Sequence, residues 1–211
     1  MRKTLVALLG FGIAFGNGCY SGKSLPEIGF EQCSFKQSCE DFRIGVEPCE
    51  TAEECEEMLG KNFLEHGILP FYLVIENRGE SEALINGGFY FKDRNGERWE
   101  QVDWAELAKE EHRKAGLEAL LAPGFLKRTL YFNAQSWNKK VDRTYKRLMI
   151  NYNAHVKPGQ TMRGFVAFRT PESALRDYCN SLAGSELYFY MQSEEIERFK
   201  FPLDCVQSNE N

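Results

Sequence analysis

The chain has no Cys-x-x-Cys and no Cys-x-x-His pair; its closest cysteines stand in Cys-x5-Cys order. A zinc ribbon is left without its chelating spacing, and a thioredoxin-type redox site without its motif. Histidine is scarce as well. His66, His112 and His155 lie far apart and none belongs to an H-E-x-x-H array, so each reads as a local residue: His112 on a helix among Glu110, Glu111 and Arg113, the other two in turns. No G-x-S-x-G elbow, P-loop or dinucleotide glycine fingerprint occurs. Gly22-Lys23-Ser24 ends like a phosphate loop but lacks its upstream glycine. No metal and no cofactor is expected from these patterns. Lys and Arg form no long block, and a net charge of −5 argues against nucleic acid as a partner. The acids Glu50, Glu53, Glu54, Glu56 and Glu57 lack the alternating oxygen ligands and loop glycine of a calcium site; they suit the start of a helix instead.

What is present begins with an export address. Arg2 and Lys3 precede Thr4 to Phe15, an apolar run too short to span a bilayer, and Gly16-Asn17-Gly18 supplies small residues for a signal peptidase. Residues 1–18 are therefore expected as a cleaved signal peptide. A cysteine directly after such a segment resembles the lipobox of bacterial lipoproteins, in which that cysteine becomes the acylated first residue. Cys19 is the matching position, with Gly18 as the small residue before it; Gly16 and Asn17 stand where the family has leucine and alanine or serine. The resemblance implies a lipid attached at Cys19. Tyr20 lacks the aspartate that retains such proteins at the inner membrane, so the expected location is the outer membrane of a bacterial envelope. An ordinary secretory signal, giving a periplasmic or secreted protein, is the alternative.

Seven cysteines become six once Cys19 carries lipid. In an oxidising compartment Cys33, Cys39, Cys49, Cys55, Cys179 and Cys205 are disulfide candidates. Among the first four, Cys49 with Cys55 and a nested pairing of Cys33 with Cys55 and Cys39 with Cys49 are equally open. Hydrophobic residues make up 43% and aromatics 13% of the chain, enough for a core that disulfides reinforce rather than replace.

Residues 19–32 read as a tether and 33–67 as a cysteine-rich segment. Within it Thr51-Ala52-Glu53-Glu54 forms a capping box that opens a short helix through Leu59. Pro70 to Asn77 reads as a strand with Asn77 turning out of it. Ala83 to Phe91 and Arg98 to Val102 flank Asp93-Arg94-Asn95-Gly96, a β-hairpin signal. Trp104 to Leu121 has helical character. Phe125 to Phe132 suits strand or helix; from Ser136, a plausible N-cap, Trp137, Val141, Tyr145, Leu148 and Tyr152 mark one helical face. The rest of that surface carries Lys139, Lys140, Asp142, Arg143, Lys146 and Arg147, read as a solvated face with contact to anionic lipid or glycan as the rival. Lys157-Pro158-Gly159-Gln160 forms a turn into the strand Thr161 to Phe168, with a bulge expected at Gly164. A last hairpin, Glu186 to Gln192 and Ile196 to Phe201, brings Cys179 and Cys205 toward its open end, so these two are paired. Residues 206–211 form a tail.

The Asn-terminated strand, the FKDRNGERW hairpin, the helical insertion 104–152 and the K-P-G-Q turn into T-M-R-G-F-V-A-F resemble small immunoglobulin-like domains of bacterial envelope lipoproteins. The resemblance spans Ile68 to Leu203 and implies a mainly β fold: an antiparallel β-sandwich over 68–205 with helices packed at one end. The insertion 104–152 departs from a plain sandwich; it is expected to carry the specific function and to be removable with the core left folded. It implies binding or structural work rather than catalysis, with the membrane engaged through the lipid and an envelope protein or glycan as partner through a strand edge or aromatic cleft. A carboxylate-based hydrolase of cell-wall glycan, or a secreted binding or inhibitory protein, are the alternatives. Catalytic carboxylates are set by their separation in space, and spacing in sequence selects none.

Overall fold

The computed structural model describes residues 24–112, 124–171, 182–193 and 195–203. Its strands are β1 (Phe35–Ser38), β2 (Phe42–Pro48), β3 (Ile68–Asn77), β4 (Ala83–Lys92), β5 (Arg98–Val102), β6 (His155–Val156), β7 (Thr161–Arg169), β8 (Ser185–Gln192) and β9 (Ile196–Leu203). Three helices accompany them among the described residues: α1 (Ala52–Leu59), α2 (Trp104–Glu111) and α3 (Gly124–Leu148). The strands form one antiparallel sheet in the order β1-β2-β3-β7-β5-β4-β8-β9, with β6 added to β4.

The mainly β expectation holds, but the immunoglobulin-like sandwich is not what forms. Strand β5 is the reason. Its Arg98 and Trp99 pair with Lys92 and Phe91 of β4, while Glu100, Gln101 and Val102 pair with Arg169, Phe168 and Ala167 of β7. One short strand thus joins two halves that a sandwich would leave as separate sheets. The two ends of the sheet then approach each other: Phe42 of β2 meets Phe199 of β9 edge-on at 5.9 Å, and the Cys39 thiol donates to Glu197 at 3.2 Å. The sheet is therefore nearly closed and barrel-like. Rings fill it, with Phe71, Phe91 and Phe168 5.5–5.8 Å apart and Trp99 4.5 Å from Phe91.

Strand β3 is buried along nearly its whole length, which a one-sided sheet would not allow. Part of its outer face is covered by the segment expected as a tether. In the described part of that segment, Leu25, Ile28 and Phe30 pack on the core, and Tyr72 donates its hydroxyl to the Pro26 carbonyl at 2.7 Å. Asn77 does not turn out of β3; it turns in and is buried.

The capping box forms as expected: Thr51 Oγ1 accepts from the Glu54 amide at 3.2 Å and Glu54 accepts from the Thr51 amide at 3.1 Å. The helical insertion differs from its reading. Helix α3 includes Phe125 to Gln135, so Ser136 lies inside it rather than capping it, and Tyr152 lies beyond its end. The insertion packs into the main core rather than beside it: Val141, Tyr145 and Leu148 belong to that core and Tyr145 packs edge-on against Phe63 at 5.8 Å. Gly164 sits in unbroken register with Leu73; a Cβ there would come within 2.8 Å of the Leu148 carbonyl oxygen, so this glycine admits the end of α3. The bulge is instead in β4, between Asn86 and Phe89.

Cys33, Cys39, Cys49 and Cys55 are free thiols, so the expected disulfide-bearing segment is not bridged here. Strand β1 separates Cys33 from Cys39, and β2 separates Cys39 from Cys49. At about 3.3 Å per residue each pair stands roughly 20 Å apart, beyond the reach of a bridge. The nested pairing is thereby excluded. Cys49 and Cys55 are fully buried together, and a hydrogen bond with the Cys55 thiol, followed by desolvation, holds the Cys49 thiol well above its ordinary range.

Candidate functional site

On β4, β5, β8 and β9, alternate residues turn away from the barrel interior. Phe89 and Phe91, Trp99, Phe189, Phe199 and Phe201 are buried; the intervening positions turn Tyr90, Arg98, Tyr190 and Arg198 to the outer face, with Tyr188 on the same side but buried at 9% exposure beneath its neighbours. Strand register sets Tyr90 opposite Tyr188 and Tyr188 opposite Lys200. The Tyr90 and Tyr188 rings stack at 5.1 Å and 17°, and Tyr190 meets both edge-on at 6.4 Å. The Arg98 guanidinium lies 4.1 Å from the Tyr90 ring centre and that of Arg198 4.7 Å from Tyr188, with the Lys92 ammonium 5.7 Å from Tyr188. Cation–π attraction holds these flexible side chains in place before anything binds.

The bulge completes the site. Gly87 and Gly88 adopt φ of 79° and 86°, and the space above Gly88 is taken by the Tyr152 ring, which a Cβ would approach to 2.8 Å. The Tyr90 hydroxyl donates to the Gly87 carbonyl at 2.6 Å, and Gln101 accepts from the Phe89 amide at 3.1 Å. Burial, then the Asp103 carboxylate, push the Tyr152 phenol up, so it stays a neutral hydrogen-bonding group. Tyr90, Arg98, Gln101 and Tyr152 rim a depression of about 450 Å³. The Tyr90 ring, the Arg98 guanidinium, the Gln101 amide, the Tyr152 phenol and the Glu100 carboxylate line it, a mix of flat ring and polar groups able to recognise a ligand.

A larger cleft of about 810 Å³ lies between Leu25, Pro26 and Glu27 and the turn-and-strand residues Gln160 to Arg163. It lacks the ring array. The other expected residues serve local roles. His112 bonds Asp142 at 2.7 Å, His66 faces Glu110 at 3.4 Å and His155 faces Glu82 at 3.7 Å, and among the described residues no group of three or more His, Cys, Asp or Glu could hold a metal. Of the acidic cluster, Glu54 caps α1, and the Glu50 carboxyl is pushed up by burial and by Glu54 and Glu47. Cys39 is exposed and Cys33 buried, and desolvation pushes the Cys33 thiol up to about 11. Cys19, Cys179 and Cys205 lie outside the described residues. No described helix is long and apolar enough to cross a membrane.

Sequence reading missed the tyrosine face. Its signal was the two-residue alternation in Phe89-Tyr90-Phe91, Leu187-Tyr188-Phe189-Tyr190-Met191 and Arg198-Phe199-Lys200, which separates inward from outward rings. No protein-family model and no curated protein matches the chain. Among solved structures it is similar to the yjhA protein from Bacillus subtilis, at 11% identity over 74% of this chain and 78% of that one, with a TM-score of 0.36. It is also similar to a functionally unknown protein from Listeria monocytogenes EGD-e, at 12% identity over 82% of each chain, with a TM-score of 0.39.

Proposed function

We propose that this chain is a non-catalytic binding protein of the bacterial envelope, anchored by lipid on Cys19 and receiving an envelope glycan on the Tyr90–Tyr188–Tyr190 face. The observation that carries the reading is the stack of Arg98, Tyr90, Tyr188 and Arg198, an outward array whose guanidinium groups are held by rings. Sugar rings present C–H faces to aromatics and hydroxyls to guanidinium and phenol groups, so such a surface suits a polyol chain laid across it. The leader and the position of Cys19 supply the location. In the oxidising compartment that follows, Cys49 and Cys55 close a disulfide by passing their electrons to a thiol–disulfide oxidoreductase. The closed loop is short and worth roughly 2 kcal/mol in the chain-entropy model.

Co-sedimentation with purified peptidoglycan sacculi tests the binding face. Wild-type protein should pellet, and Arg98→Gln with Tyr190→Ala should weaken retention about a hundredfold, the effect of losing one charge-assisted hydrogen bond and one ring contact. Release of soluble sugar fragments would replace this reading with the hydrolase. Retention on a protein component of the envelope, with none on sacculi, would overturn the glycan assignment. Mass spectrometry of the mature N-terminus tests the anchor: acylated Cys19 is expected, and an unacylated start elsewhere removes it.

A further inference from the structure

Helix α3 is the most basic element among the described residues. It carries seven Lys and Arg and one acid, Asp142, in a protein of net charge −5. Asp142 is already engaged by His112 at 2.7 Å. One face of α3 is committed to the protein interior, where Ala134, Val141, Tyr145 and Leu148 are buried. At 100° per residue, Phe132, Lys139 and Arg143 fall within about 30° of the opposite direction, and Arg128 and Lys146 within about 50°. All five are exposed. They form a stripe roughly 27 Å long at 1.5 Å per residue, and at its N-terminal end Phe132 is 53% and the adjacent Tyr131 41% exposed. The Arg128 guanidinium sits 5.6 Å from the Phe132 ring centre.

We propose that the outer stripe of α3 docks on an anionic lipid surface, with the cations on the headgroups and the Phe132 and Tyr131 rings at headgroup level. Charge complementarity carries the assignment. A basic stripe with exposed rings at one end matches the headgroup layer, where aromatic side chains settle between water and hydrocarbon. Because the apolar face of α3 stays in the core, docking requires no unfolding. The contact also sets an orientation, since an acyl anchor alone leaves the domain free to turn. This inference stands on α3 and does not depend on the tyrosine face or on acylation of Cys19.

The test uses the chain from Tyr20 onward, which contains every described residue and has no acyl group to drive partition. It should co-sediment with vesicles of phosphatidylglycerol and phosphatidylethanolamine but not with phosphatidylcholine alone, and added salt should release it. Lys139→Gln, Arg143→Gln and Lys146→Gln together should lower partition about a hundredfold with an unchanged circular dichroism spectrum. Phe132→Trp should show a blue-shifted emission on the anionic vesicles only. Equal binding to both vesicle types, no binding to either, or wild-type partition by the triple variant would overturn the proposal. Binding to a soluble polyanion with none to anionic vesicles would overturn the lipid assignment as well.

Discussion

At Asn77 a polar side chain is kept from water because its donors and its acceptor all have partners. The amide nitrogen donates to the Ser81 and Val156 carbonyls at 2.9 and 2.8 Å, and the oxygen accepts from the Gly79 amide at 3.0 Å. The residue therefore ties the end of β3 to the following turn and to β6. Asn77→Ala removes three hydrogen bonds, the one to the Val156 carbonyl fully buried, and urea unfolding should show a loss of about 2–4 kcal/mol. Glu50 has the opposite character. Burial, then the charges of Glu54 and Glu47, raise its carboxyl above the ordinary 4.5, so the folded state holds that proton more tightly than the unfolded chain. Stability must then fall as pH climbs from the ordinary value through the raised one. Glu50→Gln should melt at a higher temperature than wild type at pH 7, and the advantage should vanish once both states are protonated at low pH. The thiols also differ. Cys39 is exposed, whereas Cys33, Cys49 and Cys55 are buried; iodoacetamide on native protein should label Cys39 first of these four. In exported protein Cys49 and Cys55 should resist labelling after unfolding without reductant, while Cys33 becomes reactive.

At the scale of elements, local rules succeed where the partners are near in sequence. The cap of α1 and the Asp93–Gly96 turn both form, the latter with Asp93 Oδ1 accepting from the Asn95 amide at 2.9 Å and from Glu97 at 2.8 Å. Gly164 shows where such rules stop. A glycine within a strand suggests a bulge or a close approach, and only the packing of Ile150 and the Leu148 carbonyl on β7 decides for the second. Gly164→Ala should cost about 1–3 kcal/mol by overpacking, read as a drop in melting temperature. The bulge at Gly87 and Gly88 does carry an Asn86-Gly87-Gly88 signal, but the apolar alternation on both sides reads as one continuous strand; it is the feature that seats Tyr152 beside Tyr90. The long α3 was half legible: its inward positions from Trp137 onward keep helical spacing, while the earlier turns expose Tyr131 and Phe132 and so blur the pattern.

For the molecule as a whole, closure of the sheet is what makes the helices indispensable. Residues 104–152 contribute β-sheet cover and core rings, with Tyr145 against Phe63 and the Ile150 amide donating to the Phe165 carbonyl at 2.8 Å. Deleting 104–152 should abolish the cooperative thermal transition seen by circular dichroism. The sequence by itself determined the antiparallel strands, the two main hairpins, the α1 cap and the strong apolar content, because alternation, turn residues and capping pairs act between neighbours. Only the tertiary structure decided that β5 joins both halves, that Cys39 is out of reach of Cys33 and Cys49, and that outward tyrosines from two strands meet between arginines from two others. Those outcomes depend on which strand lies beside which, and pairing across long stretches of chain is settled by the packing of the whole core.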